Sequence, residues 1–197
     1  MADVTQATSG RREPRKAATR QALADAARQL FLERGYDQVS VRDVAEAADV
    51  STTTLFKHFA SKEALVLDTE DDDDQEAGLV AAVRDRMPGQ SAPAALYGWM
   101  LAMIAAENAS GPRLDDVRRL TAATPALREY ADRRWLRHET ALAQAIAATI
   151  EAPADDLRCA TLARFALQSL ALVRGRPDPC AALGEVFVMI EHGWAAV

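Results

Sequence analysis

Proline limits where this chain of 197 residues can be helical, and its eight prolines are very unevenly placed. None lies between Arg15 and Met87, whereas Pro88, Pro93, Pro112, Pro125, Pro153, Pro177 and Pro179 cut the remainder into segments of helix length. No strand-like alternation and no internal repeat is visible, so the expected fold class is all-α. Hydrophobic residues make up 49% of the chain and charged residues 26%, which places it with globular proteins and excludes a disordered or fibrous one.

The proline-free front can be read in detail. Residues 1–14 are polar and small and are expected to form a disordered arm. Leu23, Ala27, Leu30 and Phe31 then make one helical stripe, and Gly35 suits a left-handed C-terminal cap. Ser40 and Asp43 form an Asp variant of a capping box ahead of Val41, Val44, Ala45 and Ala48, a helix of about two turns. After a short break at Asp49 and Val50, Ser51 can cap a third helix through Thr54, Leu55, Lys57 and Phe59. Ser61 can cap a fourth through Leu65. Two short helices joined by a tight turn behind a longer one are what a helix-turn-helix requires, the third lying in the DNA major groove while the second crosses the backbone.

Charge agrees with that division. Residues 1–66 carry 10 basic and 9 acidic side chains and residues 67–197 carry 13 and 20, so only the front suits an approach to phosphates. Arg11, Arg12, Arg15, Lys16 and Arg20 concentrate its positive charge. The domains expected are therefore the arm, a DNA-binding domain over 15–66 and a helical domain over 67–197. The run Asp71 to Asp74 is read as a solvated helix face or loop, against a metal or basic-partner site.

Behind Pro93, helices are expected to break at Gly111-Pro112, Thr124-Pro125, Ala152-Pro153 and Gly175 to Pro179, with Arg128 to Ile150 as one long helix. From Cys159 to Val173 only Arg164 is charged, and the last segment aligns Leu183, Phe187, Ile190 and Trp194, with Val186 and Met189 beside them. Two C-terminal helices with so much apolar surface suggest a homodimer interface. Cys159 and Cys180 read as reduced thiols. The N-terminus lacks the apolar stretch of a signal peptide, and no uncharged run is long enough to span a bilayer. The expected location is the cytoplasm, with no membrane partner.

An enzyme finds little support. His58, His138 and His192 are scattered, the cysteines lack zinc spacing, and no HExxH helix, phosphate loop or dinucleotide turn is present. No metal or cofactor is expected. His138-Glu139 is an isolated pair that reads as surface or pocket. A second rival is a helical interaction module that has lost DNA binding.

The stretch TRQALADAARQLFLERGYDQVSVRDVAEAADVSTTTLFKHFASKEAL, from Thr19 to Leu65, resembles the DNA-binding region of the TetR family of bacterial regulators. The resemblance rests on Ala26-Ala27, Leu30-Phe31, Gly35-Tyr36, Ser40-Val41, Val44-Ala45, Ala48, Val50-Ser51, Thr54-Leu55, His58-Phe59, Ser61-Lys62-Glu63 and Leu65. It implies that Ser40, Arg42, His58 and Lys62 position the protein on phosphates, while Thr52, Thr53 and Lys57 approach base edges of a double-stranded, inverted-repeat operator. Val44, Val50, Leu55 and Phe59 read as core. Two positions depart from the family: Asp49 stands where Gly is usual, and Phe56 replaces Tyr, removing a hydroxyl that would meet phosphate.

The same resemblance implies a repressor whose rear domain binds a small-molecule effector. Trp99, Met100, Met103, Leu120, Trp135, Phe165 and Gln168 are candidate pocket residues, with Arg119 or His138 as polar anchors, although Met and aromatic residues at helical spacing also suit ordinary core. Their apolar bias implies a largely hydrophobic ligand.

Overall fold

In a computed structural model, residues 9–68, 72–109 and 111–195 are described, and they form helices with no strand among them. The chain divides into two compact units, 1–68 and 69–197.

The first unit holds α1 (Ser9–Arg34), α2 (Val41–Ala47), α3 (Thr52–His58) and α4 (Ala64–Leu67). Of the expected arm, residues 1–8 lie outside the described residues, and the rest is helical, because α1 begins at Ser9. Extending a helix already anchored by packing adds one hydrogen bond per residue without a new nucleation cost. The expected stripe of Leu23, Ala27, Leu30 and Phe31 is buried and meets Val44, Ala45, Leu55, Phe59, Ala64 and Leu65 in one small core. Gly35, with φ +85°, closes α1 through its amide on the Phe31 carbonyl.

The turn between α2 and α3 is a Schellman motif. The Val50 amide reaches the Ala45 carbonyl at 2.9 Å, and the Asp49 amide reaches that of Glu46 at 3.1 Å. Asp49 takes the left-handed position at φ 53°, where a Cβ is strained, and its carboxylate lies at the negative end of the α2 dipole. Asp49→Gly is therefore expected to stabilise the protein by about 1 kcal/mol. An unchanged urea midpoint would contradict this account of the turn.

The second unit holds α5 (Asp72–Arg84), α6 (Ala92–Ala109), α7 (Pro112–Ala123), α8 (Pro125–Leu136), α9 (Glu139–Thr149), α10 (Leu157–Val173) and α11 (Pro179–Ala195). Helix α10 is its centre, packing on α6, α8, α9 and α11, while α5 lies on α6 and α9. Leu79, Leu96, Met100, Leu142, Ile146, Leu167 and Leu183 are fully buried there. Pro112 and Pro125 occupy first-turn positions, as their fixed φ and missing N–H favour. Asp71 and the side chains of Asp72 and Asp73 lie outside the described residues, while Asp74 is exposed in the first turn of α5, where the helix dipole favours negative charge. No group of acidic, His or Cys side chains suited to a metal is found among the described residues.

Two expectations need correction or completion. The single helix from Arg128 to Ile150 is in fact α8 and α9. The amides of Arg137 and His138 turn back to the carbonyls of Arg134 and Trp135, three residues earlier, which tightens and ends α8. His138 is buried at the junction, its Nδ1 3.0 Å from Glu76 Oε2 on α5, and its carbonyl receives the Leu142 amide that starts α9. On α11, Leu183 and Phe187 are buried and Ile190 is half-buried, but the Trp194 side chain lies outside the described residues.

Candidate nucleic-acid interface

Helices α2 and α3 are each held at the start by the side chain of the serine that precedes them. Asp43 Oδ2 accepts from the Ser40 amide at 2.7 Å while the Asp43 amide donates to Ser40 Oγ at 3.2 Å, the reciprocal capping box expected from sequence. Hydrogen bonds from the Ser40 hydroxyl and then its amide hold the Asp43 carboxyl below the usual carboxylate range. Ser51 Oγ accepts from the Thr54 amide at 3.1 Å. Between the helices lies an open groove of about 730 Å³, lined by Arg42, Ala45, Glu46, Asp49, Ser51 and Thr52 among others.

One helical face of α3 is inward and the other outward. Leu55 faces the core and is fully buried, so the residues turned farthest from it are Thr53 and Lys57, which are exposed. Phe56 is exposed beside them, Thr52 is half-buried, and Arg42 is exposed on α2. Lys57 in the last turn places a cation at the negative end of the dipole. Burial, then the charges of Lys16, Arg20 and Lys57, push the His58 imidazole below its ordinary pKa, so it is neutral at neutral pH.

The sequence-derived contact residues are thus not equivalent. Arg42 and Thr52 line the groove, and Thr53 and Lys57 face outward on α3, whereas Ser40 is committed to its cap and His58 is half-buried. Lys62 is engaged inside the unit. Its ammonium donates to the Tyr36 carbonyl at 2.5 Å and lies 3.9 Å from the centre of the Tyr36 ring, and burial lowers its pKa. The Tyr36 hydroxyl donates in turn to Glu63 Oε1 at 2.9 Å, and its pKa is raised by burial first and then by that carboxylate.

Arg20 belongs to the same class. Sequence reasoning counted it with the phosphate-attracting charge, but its guanidinium donates to the carbonyls of His58 at 2.6 Å and Asp68 at 3.0 Å and stacks 4.3 Å above the Phe59 ring. It ties α1 to the C-terminal ends of α3 and α4.

In the second unit the candidate pocket residues separate similarly. Met100 and Leu120 are buried in the core. Trp99 and Trp135 meet edge-on with ring centres 6.4 Å apart, Trp135 lies 6.0 Å from His138, and Met103 packs on the same core. Arg119 is exposed and paired with Asp116. Phe165 is 56% exposed and Gln168 is exposed, because the opposite face of α10 already supplies Ala163, Leu167 and Leu170 to the interior. A cleft of about 230 Å³ between α8 and α10 unites Trp135 and Gln168 with Asp132, Leu136, Leu167 and Leu172.

Comparison with known proteins agrees with the architecture. Residues 23–69 match the family model of bacterial regulatory proteins of the tetR family. The chain is 33% identical over 153 residues to the HTH-type transcriptional regulator TcmR of Streptomyces glaucescens, covering 75% of this chain and 67% of that one. It is 43% identical over 65 residues to the HTH-type transcriptional repressor KstR2 of Rhodococcus jostii, a match covering 33% of this chain and 28% of the relative. A crystal structure of a TetR-family regulator from Streptomyces coelicolor A3 superposes with a TM-score of 0.55 at 26% identity, covering 90% of this chain and 94% of the other. With a capped helix-turn-helix, an all-helical second unit and a relative similar along most of its length, the chain belongs to the TetR family of bacterial helix-turn-helix transcriptional regulators.

Proposed function

We propose that the protein is a homodimeric repressor that holds an inverted-repeat operator through α2 and α3 and releases it when a small, largely hydrophobic ligand binds the unit of residues 69–197. The observation that carries this reading is the outward face of α3. Thr53 and Lys57 are exposed there, Thr52 and Arg42 line the adjoining groove, and side-chain caps hold the start of each helix. Thr52, Thr53 and Lys57 are the base-edge contacts, and Arg42 is a phosphate contact. Lys62 acts through the fold, given its contacts with Tyr36.

Dimerisation is supported by an unpartnered apolar surface on α10 and α11, where Leu157, Phe165, Leu172, Val188 and Met189 are all exposed. Two-fold symmetry then presents the two α3 helices to half-sites about 34–36 Å apart. The ligand must bind the non-DNA-binding arrangement more tightly than the other, since equal affinity shifts nothing. The aromatic cluster of Trp99 and Trp135 beside His138, with the cleft at Trp135, is its proposed seat.

Lys57→Ala tests the DNA half of the proposal. It is expected to cost about 1–3 kcal/mol of operator affinity per half-site. Unchanged affinity together with an unchanged salt slope would remove Lys57 from the interface.

A further inference from the structure

We infer that Phe56 is a specificity-determining residue that reads the 5-methyl group of a thymine in each operator half-site. The inference rests on the DNA-binding role proposed for α3 and goes beyond it, because none of the contacts assigned above explains this side chain.

Helix α3 spans seven residues, and two of its aromatic or aliphatic side chains lie on opposite terms with the core. Leu55 is fully buried, while Phe56 is 53% exposed on the turn that carries Thr52, Thr53 and Lys57. At 100° per residue, Phe56 falls between Thr52 and Thr53 when the helix is viewed end-on, within the face assigned to base edges. A large apolar ring in that place does not serve the core: the inner side of α3 is filled by Leu55, with Phe59 buried just past the helix end.

The chemistry of the ring restricts what it can meet in DNA. It has no donor for a phosphate oxygen and no donor or acceptor for the polar base edges. The major groove offers one apolar base feature, the thymine methyl, and it distinguishes T·A from the other pairs. Thr52 and Thr53 supply hydroxyls on either side, and Lys57 supplies a cation, so Phe56 completes a face with one apolar element among polar ones.

The test uses the full-length protein and the tightest duplex selected from a random library. Each thymine of a half-site is replaced in turn by deoxyuridine, which deletes only the methyl group. Wild-type protein is expected to lose about fourfold in affinity at one thymine per half-site, and about fifteenfold when both half-sites are changed. Phe56→Ala is expected to bind the unmodified duplex at least as weakly as wild type binds the doubly changed one, and to be insensitive to deoxyuridine at that position. Phe56→Leu, which keeps an apolar tip, is expected to retain part of the discrimination and provides the same comparison if the alanine variant is unstable. The inference is overturned if wild type is indifferent to every methyl deletion, if no thymine occurs in the half-site, or if Phe56→Ala keeps the wild-type sensitivity at every position. Failure to select any specific duplex overturns the DNA-binding proposal itself, an outcome distinct from specific binding without methyl dependence.

Discussion

Replacing Arg20 by alanine is expected to lower the stability of the first unit by about 2–3 kcal/mol and to abolish DNA binding at physiological temperature, although no nucleotide needs to touch this residue. Its guanidinium satisfies backbone carbonyls at the C-terminal ends of two short helices, His58 on α3 and Asp68 beyond α4, and covers the Phe59 ring. Both bonds are charge-assisted and partly buried, and removal leaves acceptors that α3 and α4 cannot satisfy from within. A unit of this size has a small core, so such a loss is a large share of its stability. Arg20→Lys should rescue little, because one ammonium cannot span two carbonyls and also stack as a planar group does. Urea denaturation checks the first statement. A variant that unfolds like wild type but binds DNA less tightly would show that Arg20 acts on phosphate instead.

The second large effect is expected at Leu172. This residue is 62% exposed on α10, in line with Leu157 and Phe165 and away from the helix's buried face. Leu172→Glu therefore leaves the core of the protomer intact while placing a charge on the proposed dimer surface, where desolvating it is costly. Sedimentation is expected to show a monomer, and operator affinity to fall by about 10²–10⁴-fold as one of two linked contacts is lost. A variant that remains a dimer would move the interface elsewhere.

Features settled by neighbouring residues were legible in the sequence. Ser40 with Asp43, Ser51 with Thr54, and the strained Asp49 act over three or four residues, so type and spacing reveal them. Pro112 and Pro125 marked helix starts for the same reason. Features settled by distant partners were not. The break between α8 and α9 has no proline or glycine, and is anchored by His138 against Glu76, 62 residues away. Arg20 meets a carbonyl 38 positions on, and Lys62 meets one 26 positions back, so both looked like free charge. Helix α10 is apolar on nearly every side, which hid the fact that Phe165 faces outward while Leu162 and Ala166 face inward. Phe56 stood out in sequence only for a missing hydroxyl, and its exposure became visible once Leu55 was seen to fill the core.

The measurement that bears most directly on the central claim is selection of bound duplexes from a random DNA library, followed by the salt dependence of the best binder. A two-fold dimer reading DNA through α3 predicts enrichment of an inverted repeat whose half-site centres are about one helical turn apart, with affinity falling steeply as salt rises. Weak binding that depends on salt but enriches no sequence would contradict it, and would leave the capped helices of the first unit as an interaction module that no longer reads an operator.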